Sequence, residues 1–122
     1  MEPATMSLHK RLRSFGYAFQ GLATLLRDQP NARLHLGATV LVIVAGAYFS
    51  LNRMEWALLA LCIVAVIAAE ALNSAVEYLC DLVSPEFHPL VKKAKDVAAA
   101  AVLLVALGAA VVGALVFWPH VF

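Results

Sequence analysis

The sequence predicts an all-α integral membrane protein: three transmembrane helices preceded by an N-terminal amphipathic helix lying along the membrane surface. Three observations carry this expectation. Of 122 residues, 63% are hydrophobic and only 14% charged, where soluble domains carry about 25% charged, and mean hydropathy is +0.84. Stretches without Asp, Glu, Lys or Arg cover residues 34–52, 56–69 and 97–118, and roughly 20 apolar residues cross a hydrocarbon core. Turn-forming segments separate them: Pro30, "SLNRME" and "SPEFHP". The length suits a single membrane domain over residues 1–122.

The surface helix is expected over residues 7–28. In "SLHKRLRSFGYAFQGLATLLR", Leu8, Leu12, Phe15, Phe19, Leu22 and Leu26 recur at steps of four, three, four, three and four, which is one helical face. Lys10, Arg11 and Arg13 fall largely off that face, the pattern of a helix lying in the membrane interface. A helix packed on a partner protein gives the same pattern. The basic residues and the lack of a continuous apolar core argue against a cleaved signal peptide.

The first span is expected over residues 32–51, with Pro30 interrupting the chain and Asn31 capping the new helix. The second is expected over 55–83. Asn52 and Glu55 have capping-box spacing, and the span is longer than the hydrocarbon core requires. The third is expected over 89–118, starting near Pro89. Its Ala106, Ala110 and Ala114, or Ala109 and Gly113, recur every four residues, which permits close helix contact. Trp56 and Trp118 read as interface anchors at span ends.

Lys10, Arg11, Arg13, Arg27 and Arg33 precede span one, and Lys92, Lys93 and Lys95 follow span two. Only Arg53 lies in the other loop. The positive-inside rule then places the N-terminus and the 84–89 loop in the cytoplasm and the C-terminus outside. Net charge is +1, which gives no reason to expect nucleic acid as a partner. Cys62 and Cys80 lie on one expected helix, roughly 27 Å apart at the helical rise, and read as buried free thiols.

The chemistry concentrates in "EALNSAVEYLCDL". Glu70, Asn73, Glu77 and Asp81 fall within about 80° of one another on the helix, a polar stripe on the cytoplasmic third of span two. Acids at a helix end emerging into water need no further reason, and an ion-pair cluster locking spans two and three would be a structural one. Glu70, however, lies roughly 10 Å deeper than Glu77, where an ionised carboxylate is costly without a partner or a task. On the antiparallel third span, Lys95 and Asp96 reach the depth of Glu77, and Lys95 suits Glu77, Asp81 or a phosphate. A surplus of carboxylates suits a divalent cation, and Mg²⁺ prefers one or two carboxylates plus phosphate oxygens. Glu70 is then placed as a general base toward a hydroxyl at the lipid headgroup level. The pattern points to phosphoryl transfer from ATP to a lipid alcohol, without the P-loop motif. The competing reading is a non-enzymatic oligomeric membrane protein, a channel or interaction subunit. Polar residues that stop at one third of a span disfavour a pore.

"EALNSAVE" and "HPLVKKAKDVAAAAVL", with "FGYAFQGL" and "NARLH" before them, resemble the small integral-membrane diacylglycerol kinases of bacteria and their relatives, the undecaprenol kinases. The resemblance covers roughly residues 10–118. It implies an ATP- and Mg²⁺-dependent lipid kinase of the bacterial inner (cytoplasmic) membrane, assembled as a homotrimer with sites shared between subunits. It implies Glu70 as the catalytic base, Asn73 as polar support and Glu77 as a metal ligand. Lys95 and Asp96 become nucleotide contacts, joined by Tyr17, Glu86 and His88. Gln29 stands where the diacylglycerol kinases place a second metal-binding glutamate. Its amide oxygen is a weaker ligand, and Asp28 is adjacent. Lys10 stands where the family has arginine, so a point charge replaces a bidentate fork. Diacylglycerol and undecaprenol are both open as acceptors. His35, at the cytoplasmic end of span one, reads as a structural hydrogen-bonder, and His9 and His120 carry no readable signal.

Overall fold

The computed structural model describes residues 7–122. Its described residues form four helices, α1 (Leu8–Asp28), α2 (Pro30–Tyr48), α3 (Arg53–Val83) and α4 (Pro89–Val121). α2, α3 and α4 are long and apolar enough to cross a membrane.

α1 starts where the Ser7 hydroxyl accepts the Lys10 amide N–H. Leu25 is buried, whereas Leu8, Leu12, Phe15 and Phe19 are exposed, so most of the apolar face meets none of the other described residues. Gln29 alone separates α1 from α2. Pro30, not Asn31, opens α2, and Gln29 holds the cap position without a side-chain cap bond. The expected Asn31 cap fails because proline lacks the N–H that a cap would satisfy and is preset for the first helical position. The joint is tied instead by Arg33, whose Nη1 donates to the carbonyls of Leu26 (3.1 Å) and Arg27 (2.8 Å). These are α1 carbonyls with no partner in their own helix.

α2 ends in a Schellman turn. The Leu51 N–H donates to the Gly46 carbonyl and the Ser50 N–H to the Ala47 carbonyl, with Ser50 at φ 53° where glycine is usual. α3 begins with the expected capping box. Glu55 N–H donates to Asn52 Oδ1 at 2.9 Å and Asn52 N–H to Glu55 Oε1 at 3.0 Å. The surrounding core joins Leu51, Leu59 and Val116, with Phe49, Trp56 and Phe117 against it. Trp56 is therefore turned inward, not out to the interface as its position had implied. A Cβ on Gly46 would lie 2.5 Å from Trp56 Cη2, so glycine there is what admits the indole. Trp118 is exposed and packs on Phe122, ring centroids 4.4 Å apart.

α3 pairs chiefly with α4, antiparallel through the 84–88 loop. α3 is twelve residues longer than α2, so its last turns run past the start of α2 and stand beside α1. The polar stripe starts opposite the first turns of α2, where His35 meets Glu70, and continues onto that overhang.

Candidate active site

Glu70 is 3% exposed, and α2 supplies its neighbour. His35 Nε2 stands 3.1 Å from Glu70 Oε1, within reach but off hydrogen-bonding alignment, so that oxygen keeps no hydrogen-bond partner. One turn on, Asn73 Nδ2 donates to Glu77 Oε1 at 3.3 Å, while Asn73 Oδ1 is buried and unpartnered. Ser74 is also 3% exposed and its hydroxyl has no partner. It lines a cavity of about 340 Å³ between α1 and α3, with Ala18, Gly21, Thr24, Ala71 and Tyr78. At the mouth of that region, Tyr78 Oη donates to Asp28 Oδ2 at 3.1 Å, and Arg27 Nε holds Asp28 Oδ1 at 3.2 Å.

The polar residues of this part of α3 thus divide among three neighbours. Glu70 faces α2, Ser74 faces α1, and Asp81 faces α4, where Lys95 Nζ meets Asp81 Oδ1 at 2.7 Å. Asp96 pairs with Lys92 on its own helix at 2.6 Å. Lysine contacts therefore account for Asp81 and Asp96, while Glu70 Oε1, Asn73 Oδ1 and Ser74 Oγ have no hydrogen bond among the described residues.

Four residues that the resemblance implies as nucleotide contacts come together. Glu86, His88, Lys95 and Asp96 line one cavity of about 330 Å³ at the α3–α4 loop, with Asp81 and Lys92. His88 is fixed there by capping α4, its Nδ1 accepting the Leu90 N–H at 3.1 Å. Lys10 and Tyr17 are not part of that cavity. Both lie on α1, which makes no contact with α4, and Tyr17 is 62% exposed. Gln29 is half-buried at the α1–α2 joint.

No group of three His, Cys, Asp or Glu among the described residues is placed to hold a metal. The Asn73–Glu77 pair nevertheless fits Mg²⁺. Asn73 Nδ2 faces the Glu77 carboxylate, and its buried, unpartnered oxygen joins that carboxylate as a hard oxygen pair once the amide turns over; Mg²⁺ commonly takes one or two protein oxygens with the rest from phosphate and water.

Two residues escaped the sequence reading. His35 was read only as a structural hydrogen-bonder, and Ser74 as a letter of the motif. The available signal for His35 was a lone ionisable side chain inside an otherwise uncharged run. Beyond it lies an apolar groove of about 510 Å³ between α2, α3 and α4, walled by Thr39, Cys62, Val66, Ala106 and Ala110 among others. The small residues expected to pack α4 on another helix thus open onto this groove.

The family model for prokaryotic diacylglycerol kinase matches residues 16–117. An undecaprenol kinase of Bacillus subtilis (strain 168) is 35% identical over 112 residues, covering 92% of this chain and 91% of that protein. A diacylglycerol kinase of Synechocystis sp. is 41% identical over 109 residues, 88% of this chain and 62% of that protein. The diacylglycerol kinase of Escherichia coli (strain K12) is 28% identical over 116 residues, 95% of each.

Proposed function

The chain belongs to the prokaryotic diacylglycerol kinase family, a family of membrane lipid kinases, and from that premise we propose that it transfers the γ-phosphate of ATP, with Mg²⁺, to the hydroxyl of diacylglycerol or undecaprenol. The observation that carries this reading is the trio Glu70 Oε1, Asn73 Oδ1 and Ser74 Oγ. All three are buried and lack hydrogen-bond partners within one stretch of α3. Buried polar atoms are paired in most proteins, and each exception asks for a ligand or a task.

Glu70 acts as general base. Its carboxylate takes the proton of the lipid hydroxyl, the freed oxygen attacks the γ-phosphorus, and the bond from that phosphorus to the bridging oxygen of ADP breaks. Burial helps, because a carboxylate shielded from water meets the hydroxyl without competition. Lys95, loaned to Asp81 by a 2.7 Å contact, turns to the phosphates, and Glu86, His88 and Asp96 complete the nucleotide end. Glu77 and the Asn73 amide oxygen would hold Mg²⁺, with Gln29 as the further ligand. The ion's contribution when bound is to neutralise charge on the β- and γ-phosphate oxygens, the main demand of phosphoryl transfer.

The working assembly is a homotrimer in the bacterial inner membrane, a single membrane domain per chain, with the site and N-terminus toward the cytoplasm and α1 in the interface. The exposed apolar face of α1 supports the interfacial placement. The separation of Lys10 and Tyr17 from the Lys95 cavity supports a site completed by a neighbouring copy.

The test is transfer of labelled phosphate from ATP by purified protein in mixed micelles, with diacylglycerol and undecaprenol supplied in parallel. Transfer to either alcohol that stops when Mg²⁺ is chelated is the expected result. Absence of transfer to both, with Mg²⁺ present and the protein folded, overturns the reading.

A further inference from the structure

We propose that His35 is a positioning residue for Glu70, its Nε2–H aligning the carboxylate that receives the proton; this rests on the kinase reading above. Glu70 is covered almost completely, whereas His35 lines the wall of the groove between α2, α3 and α4, and Glu70 does not. The imidazole therefore stands between the carboxylate and the only one of the three cavities that runs along all three spanning helices.

His35 lies in the second turn of α2, beyond the Arg33 tie, and its carbonyl accepts the Thr39 hydroxyl at 2.8 Å. Nε2 is 3.1 Å from Glu70 Oε1, and that oxygen has no other hydrogen-bond partner. Catalytic hydrogen bonds are often misaligned before substrate binds and tighten in the reactive complex. A modest turn of the imidazole completes this one. Donation to Oε1 then directs the remaining lone pairs of the carboxylate at the hydroxyl. The proton travels from alcohol to Glu70 only; His35 neither gains nor loses one.

The contact involves Nε2, which makes the role separable from bulk or polarity. Glutamine carries its amide nitrogen near the place of imidazole Nε2, and asparagine near that of Nδ1. For phosphate transfer in mixed micelles, His35→Leu is expected to lower kcat by about 10- to 100-fold with KM for ATP and lipid unchanged, the scale of a slightly misplaced reacting group. His35→Gln should restore most of kcat and His35→Asn should not. Equal rescue by both amides, or wild-type kcat in His35→Leu, overturns the proposal.

A second arm reads the pair without transfer. In the ¹⁵N spectrum of histidine-labelled protein, the His35 Nε2 resonance, assigned by its loss in His35→Gln, should move in Glu70→Ala. Those of His9, His88 and His120 should stay. An unmoved His35 resonance overturns the contact itself. Failure of the kinase reading appears differently, as a wild type that transfers no phosphate while the resonance still moves.

Discussion

The two ends of the three-helix unit are built to opposite specifications. At the α2–α3 turn, Asn52 and Glu55 satisfy each other's backbone, and His120 Nε2 closes on Glu55 Oε2 at 2.8 Å. Trp56 fills the space that Gly46 leaves, and Leu51, Leu59 and Val116 pack together. The cap's polar groups are paired there and the core residues are packed. Toward the α3–α4 loop, Glu70, Asn73 and Ser74 carry buried polar atoms without partners among the described residues; one cavity opens beside Ser74 and a second lies at the loop itself. The same α3 helix runs through both. The turn end packs the three helices together, while the other end leaves polar atoms unpaired at an energetic cost to stability.

The largest effect that sharpens this contrast is expected from Glu70→Gln. It should lower phosphate transfer by about 10³-fold, within the range for loss of a general base, while the detergent unfolding midpoint holds or rises. A large fall in stability would make Glu70 a structural group and blur the division. Gly46→Ala tests the other end. Its methyl meets the indole at 2.5 Å, and overpacking of this kind costs about 2 kcal/mol, so unfolding in mixed detergent should come earlier while kcat per folded molecule stays. Adding Trp56→Phe removes the clashing ring atoms and should recover part of the loss.

Lys95→Ala should raise KM for ATP by about tenfold, as expected for a lost charge-assisted phosphate contact, with kcat nearly unchanged. A changed kcat with constant KM would instead assign the Lys95–Asp81 pair to holding α3 against α4. The smallest effect is Asn52→Ala, which removes the cap of α3 and should cost about 1 kcal/mol in unfolding without touching transfer.

The three apolar helices, their order and the capping box at Asn52 were legible because each depends on neighbours within four residues. Long uncharged runs, turn residues and i,i+3 spacing are local signals. The stripe on α3 was legible as a stripe, but how the polar residues of this part of α3 divide among three helices was not. α2 is apolar on every side, so no pattern marks which face meets α3, and the nearness of His35 to Glu70 depends on that rotation. Trp56 was misread for a related reason. A tryptophan at a span end is ambiguous until Gly46, ten residues earlier, is known to lie opposite. The Glu55–His120 contact joins residues 65 apart, with no cue at either position. The acids, the amide and their spacing were legible in the sequence, whereas the side chains that face them are set by helix packing.

Arg33 has a mechanical consequence. Its guanidinium clamps the last carbonyls of α1 to the first turns of α2 across a single intervening residue, so the joint is a bracket with little play. Tilt of α1 is carried into the foot of α2 as torque, two residues from His35.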